Sequence, residues 1–182
     1  MRGVAVLAGL VLCSTLVSAD ERHVDFDLHF DFSKVKTFTI REGRIDSARS
    51  ELNNAIVQTK VTDAIRAALA SRGLKETSSR PDVVVEFRVS HVDYSVGPFG
   101  VARPISPGRG GRGRGRESDP QSTDPVGFVE GMLVIDLNAG DSGTLVWRGV
   151  FRDTEKTTFA LSGKLPGDAK KLLSEYPPKR KT

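Results

Sequence analysis

Cysteine is nearly missing from this chain. The single one, Cys13, lies in an N-terminal segment expected to be removed. The mature domain is therefore expected to hold no disulfide, no thiolate nucleophile and no cysteine metal ligand. Long apolar runs are scarce too, since the run from Val4 to Leu12 falls well short of the roughly 20 residues that span a bilayer. No transmembrane span is expected in the mature chain. A phosphate-binding loop is excluded because GxxxxGK[ST] and GxGxxG need a strand-to-helix context, whereas the glycines here alternate with arginine between predicted strands. A broadly basic surface is missing as well. The net charge is +4, but setting aside Arg2, Arg109, Arg112, Arg114 and Arg116 leaves 22 basic against 23 acidic residues. The positive charge is local, which argues against a nucleic-acid-binding face spread over the domain.

What is present begins with an export signal. Arg2, the apolar run, and Val17-Ser18-Ala19 before Asp20 have the layout of a secretory signal peptide over residues 1–19, cleaved after Ala19. Lipidation at Cys13 is not expected, because Val11 and Leu12 stand where small residues normally precede a lipidated cysteine. The reading is an exported protein of the periplasm or outer cell envelope, with residues 20–182 forming one domain.

The clearest hairpin runs from Phe128 to Arg152, with two apolar runs flanking the turn segment NAGDSG. Leu133, Ile135 and Leu137 share one face of its first strand, and Leu145, Trp147 and Phe151 one face of its second. Trp147 reads as a packing anchor. Val24 to Phe32 alternates without interruption and predicts a half-buried strand whose other face carries Asp25, Asp27, His29 and Asp31. Those residues invite a metal reading, yet alternate strand positions lie about 6–7 Å apart, too far for neighbours to chelate one ion unaided. A solvated acidic face is expected. Neither a metal site nor a cofactor is expected.

A second extended piece ends near Ile40, and REGRID supplies polar turn residues. From Ala48 to Arg72 the pattern turns helical, with Leu52, Ile56, Val61, Ile65 and Leu69 on one stripe, Asp46 or Ser47 as cap, and Gly73 closing the end. VVVEFRVSHVDYSV predicts a strand reaching Tyr94, with His91 and Asp93 as a same-face polar pair. DAKKLLSEY, following Pro166 and Gly167, predicts a short helix stopped by Pro177 and Pro178. The expected architecture is α/β of the α+β type, a mainly antiparallel sheet with the long helix and the short C-terminal helix packed on one face.

Between the middle strand and the hairpin, residues 97–124 are rich in Gly, Arg and Pro and read as a mobile loop. Its centre, GRGGRGRGR, resembles arginine-glycine segments that contact RNA phosphates. In an exported protein intracellular RNA is the wrong partner by location. A solubilising insert accounts for the composition. The functional alternative is contact of Arg109, Arg112, Arg114 and Arg116 with an anionic lipid, an acidic envelope polymer or an acidic surface of an envelope protein.

The assembled pattern resembles the DUF4136 family, a bacterial cell-envelope domain found in many predicted lipoproteins. The resemblance rests on Val24 with the Asp25/Asp27 strand, DFSKVKTF from Asp31 to Phe38, RGL from Arg72 to Leu74, PDVVVEF from Pro81 to Phe87, GMLVIDL from Gly131 to Leu137, LVWRG from Leu145 to Gly149, and YPP from Tyr176 to Pro178. It implies an exported α/β domain and supplies no catalytic residue. The functional expectation is a non-enzymatic cell-envelope binding or accessory protein. Two alternatives stand beside it: an envelope enzyme in which Asp25, Asp27, His29, His91 and Asp93 converge, and a structural partner protein.

Overall fold

Alternation of apolar residues along four segments, and a 3.6-residue apolar period along two others, build a two-layer α/β domain. The computed structural model describes residues 21–97, 99–105 and 127–178. The expected signal segment, Cys13 and the four candidate arginines lie outside the described residues. In chain order the elements are β1 (Glu21–Phe26), β2 (Thr37–Ile40), β3 (Arg44–Asp46), α1 (Ala55–Ala70), β4 (Lys75–Glu76), β5 (Val83–Val96), β6 (Ala102–Pro104), β7 (Phe128–Ala139), β8 (Leu145–Glu155) and α2 (Thr158–Leu173). The sheet order is β1-β8-β7-β5-β2-β4, and β3 and β6 also pair with β5. Pairings through β1, β8, β7, β5 and β6 are antiparallel. The crossover through α1 makes β2 and β3 parallel to β5.

The hairpin forms as its sequence pattern requires. Val129, Gly131, Leu133, Ile135, Leu137 and Ala139 are buried on one face of β7, while the residues alternating with them stay half exposed. A bulge between Leu137 and Asn138 shifts the register, so Leu145 is exposed and Val146 buried, whereas Trp147 and Phe151 keep the expected face. Both helices cover that face. Val61, Ile65 and Leu69 of α1, and Leu161, Leu165, Ala169, Leu172 and Leu173 of α2, close the core.

Four local readings are corrected. The first strand ends at Phe26 rather than Phe32, because Asp27 accepts from His29 N at 2.8 Å and Asp31 accepts from Ser33 N at 3.2 Å. Two aspartates placed on a strand face instead make turns, and Leu28 is exposed. REGRID contains a strand, with Ile45 buried opposite Val89. The long helix starts later, capped by Asn54 accepting from Val57 N at 3.0 Å, which leaves Leu52 buried ahead of it and Ile56 exposed. The C-terminal helix begins at Thr158 rather than Asp168 and runs through Pro166, so the two helices are each 16 residues long. Gly73 takes a φ of 83° at the end of α1 as expected, and Leu74 folds back with its N–H on Leu69 O at 3.3 Å.

Asp82 fastens the two sides of the sheet's near end. Its carboxylate accepts from Lys36 N, Thr37 N and Thr37 Oγ1 at 2.9, 2.8 and 2.8 Å. The Lys36 N–H, and then the Thr37 hydroxyl, hold its carboxyl below the usual range. On its other side Gly140 N donates to Asp82 O at 2.8 Å, and a Cβ on Gly140 would fall 1.7 Å from the Pro81 carbonyl oxygen. Only glycine allows that approach.

Candidate functional site

The far end of the sheet carries the site. Buried residues on the helix-facing side of β5 stop at Val89, and His91, Asp93 and Ser95 are only partly covered. Here β5 outruns the helices and turns back as β6, pairing Tyr94, Ser95 and Val96 with Pro104, Arg103 and Ala102. The turn is closed by Gly97 N to Val101 O at 3.1 Å and Gly100 N to Gly97 O at 2.9 Å, with Gly100 at a φ of 73°. Ile105 N donates to Asp93 O at 2.6 Å, extending the pairing. On the opposite sheet face, Tyr94 and Phe128 stack with ring centroids 4.8 Å apart. Part of the segment expected to be a loop is thus an ordered hairpin.

Beside that hairpin opens a pocket of about 650 Å³, lined by Asp46, Ser47, Arg49, His91, Asp93 and Ile105 among others. Arg49 Nη2 donates to Asp93 Oδ2 at 2.9 Å, and this bond raises the guanidinium pKa. His91 Nε2 lies 3.9 Å from Asp93 Oδ1, beyond hydrogen-bond reach, while its buried Nδ1 has no hydrogen-bond partner among the described residues. Ser47 Oγ accepts from Arg49 N at 2.9 Å, and no hydrogen bond joins it to His91 among the described residues. Asp93 therefore orients Arg49 rather than the imidazole. The pocket can hold a polar group at its rim, but its serine, histidine and aspartate do not form a relay.

The five polar residues considered for acid/base work do not converge. Asp25 sits on edge strand β1, across from Arg148, and Asp27 and His29 occupy the turn after it. Asp25, Arg148, Asp136 and Glu86 form one row across four strands of the uncovered sheet face. That row spans about 14 Å at ordinary strand spacing. His91 lies five positions further along β5 than Glu86 and on the helix-facing side. Convergence on one substrate atom is ruled out by the register. Two acids of that row, Asp136 and Glu86, are held in ion pairs. Arg148 grips Asp136 through Nε and Nη2, both at 2.7 Å, which raises the guanidinium pKa, and Arg41 meets Glu86 at 2.7 Å. Among the described residues no group of three or more His, Cys, Asp or Glu is arranged to hold a metal ion. Nor, among them, is any helix long and apolar enough to cross a membrane.

Arg109, Arg112, Arg114 and Arg116 lie outside the described residues, but both ends of the segment that carries them are placed. Ile105 leaves the β5–β6 hairpin, and Phe128, where the chain re-enters the sheet, pairs with Tyr94. Departure and return occur at the same end. Composition alone does not announce β6 or the exposed apolar side chains beside it. A usable signal is there: Phe99, Val101 and Ile105 all fall on odd positions inside a stretch dominated by glycine, arginine and proline.

Comparison with known proteins bears on the fold. A family model described as a domain of unknown function (DUF4136) matches residues 22–178. A DUF4136 family protein from Bacteroides thetaiotaomicron superposes with a TM-score of 0.53 at 11% identity, covering 87% of this chain and 96% of that one. A PDZ domain protein from Parabacteroides distasonis superposes with a TM-score of 0.54 at 12% identity, over 90% of this chain but only 38% of that one. The chain thus spans well under two thirds of that second protein. At such identities the likeness is one of fold. No curated protein matches the chain.

Proposed function

This chain belongs to the DUF4136 family, and from that premise we propose that it is an exported, non-enzymatic binding or accessory domain of the bacterial cell envelope. It takes an anionic envelope component at the far end of its sheet, with Arg109, Arg112, Arg114 and Arg116 as the contacting residues. The observation that carries this reading is the common location of Ile105 and Phe128, which fastens both ends of the arginine-bearing segment to one end of the sheet. Guanidinium groups pair with phosphate and carboxylate through parallel hydrogen bonds, and glycines between them let the backbone follow an irregular surface. The ordered domain acts as a platform that delivers a local positive charge which the rest of the molecule does not share.

A salt titration tests it. Changing all four arginines to glutamine is expected to weaken association with envelope membranes or acidic polymers by on the order of a thousandfold at low salt, since each basic residue near an anionic surface contributes about 1 kcal/mol. Binding of the unchanged protein is expected to fall as salt is added. Association that resists both salt and the fourfold replacement sinks the reading.

A further inference from the structure

The structure points to a more specific partner, and we infer that the β5–β6 hairpin is a docking finger for an anionic lipid bilayer, with apolar side chains at its end entering the headgroup region. This inference rests on the reading above for its charge and adds an independent apolar element. Among the described residues, Val92, Phe99, Val101 and Ile105 are large apolar side chains left exposed at this one end. Phe99 is 93% exposed at the turn itself. Val101 and Ile105 alternate with Arg103 along and beside β6, so apolar groups flank a guanidinium.

The hairpin is built to keep that arrangement. Its backbone turn is closed by two hydrogen bonds, and its base is braced by the Tyr94–Phe128 stack. Presenting Phe99 to a surface therefore costs little ordering. Charge complementarity selects the surface: Arg103 stands on the finger, and the segment leaving it reaches Arg109 four residues after Ile105. The acids of that segment, Glu117, Asp119 and Asp124, follow the arginines in sequence. An acidic polymer would meet the charge but leave Phe99, Val101 and Ile105 in water. A bilayer interface satisfies both at once, because anionic headgroups lie directly above an apolar phase.

The test uses the protein from Asp20 onward and vesicles of phosphatidylcholine with or without phosphatidylglycerol. Trp147 is the chain's one tryptophan and is buried, so Phe99→Trp adds an exposed reporter. Its emission is expected to shift to the blue only with vesicles containing phosphatidylglycerol. Replacing Phe99, Val101 and Ile105 with serine is expected to weaken vesicle binding at least about tenfold while thermal unfolding stays unchanged. Loss of binding in the serine variant, with binding kept by the four-glutamine variant, supports the finger and removes the arginine reading. Full binding by the serine variant, absence of a blue shift, or capture of a protein partner in place of vesicles overturns the finger. A serine variant that still binds vesicles while the glutamine variant does not leaves the arginine reading standing alone.

Discussion

Replacing Trp147 with alanine is expected to cost about 3–5 kcal/mol, the range for truncating a large buried aromatic. The indole is fully buried beneath α2, and its Cη2 lies where a Cβ on Gly149 would approach to 2.6 Å. Gly149 leaves the room that the ring occupies. Trp147 meets Tyr176 edge-on at 5.9 Å, and Tyr176 meets Phe32 in the same way at 5.9 Å. The chain of rings thus joins β8 to the residues after α2 and to the turn after β1. Burial pushes the Tyr176 hydroxyl up to about 12, so it stays neutral through the working range. Alanine at position 147 leaves a cavity that neither the sheet nor Tyr176 can collapse to fill. The melting temperature is expected to fall by on the order of 10 °C. Trp147→Phe should lose less, because it keeps most of the apolar area and removes an indole N–H that has no partner among the described residues. Equal losses for both variants in a thermal melt would contradict this packing account.

The second large effect concerns a buried charge. Asp153 is 3% exposed on the helix-facing side of β8, opposite Gly131. Lys164 of α2 reaches it, with Nζ 3.2 Å from Asp153 Oδ2. The same ammonium pairs with Glu155. The Glu155 hydrogen bond, with Asp153 behind it, raises the lysine pKa against the opposing effect of burial. Lys164→Met strands a buried carboxylate and is expected to cost about 3 kcal/mol, near the low end for breaking such a pair because the lysine side chain is half exposed. Since folding raises this lysine's pKa, its stabilisation is complete below the ordinary lysine range and is lost as pH rises through the folded value. Urea unfolding of both proteins should therefore show a gap at neutral pH that narrows in strong alkali. A gap that does not change with pH would reject the ion-pair explanation.

Legibility of the fold followed the locality of its causes. The hairpin strands were readable because each side chain's face follows from its own position, and only the bulge at Leu137, invisible without the partner strand, moved Leu145 outward. Val24 to Phe32 misled because aspartate serves equally on a wet strand face and in a turn. Hydrogen bonds from His29 and Ser33 decide between the two. Pro166 has the form of a helix start signal, yet Leu161, Leu165 and Ala169 keep one helical phase across it, and Thr157 caps the true beginning by accepting from Ala160 N at 3.1 Å. The Asp93 partner is beyond reach from sequence, since Arg49 lies in the connection after β3 and meets it only through the pairing of β3 with β5.

The most direct test of the central claim is affinity capture from native envelope extract, comparing the protein from Asp20 onward with its four-glutamine variant at positions 109, 112, 114 and 116. Recovery of an acidic lipid or acidic polymer by the unchanged protein, and its loss with the variant, is the predicted result. Recovery of one and the same protein partner by both, with no acidic component depending on the arginines, would contradict it and move the function onto the folded domain.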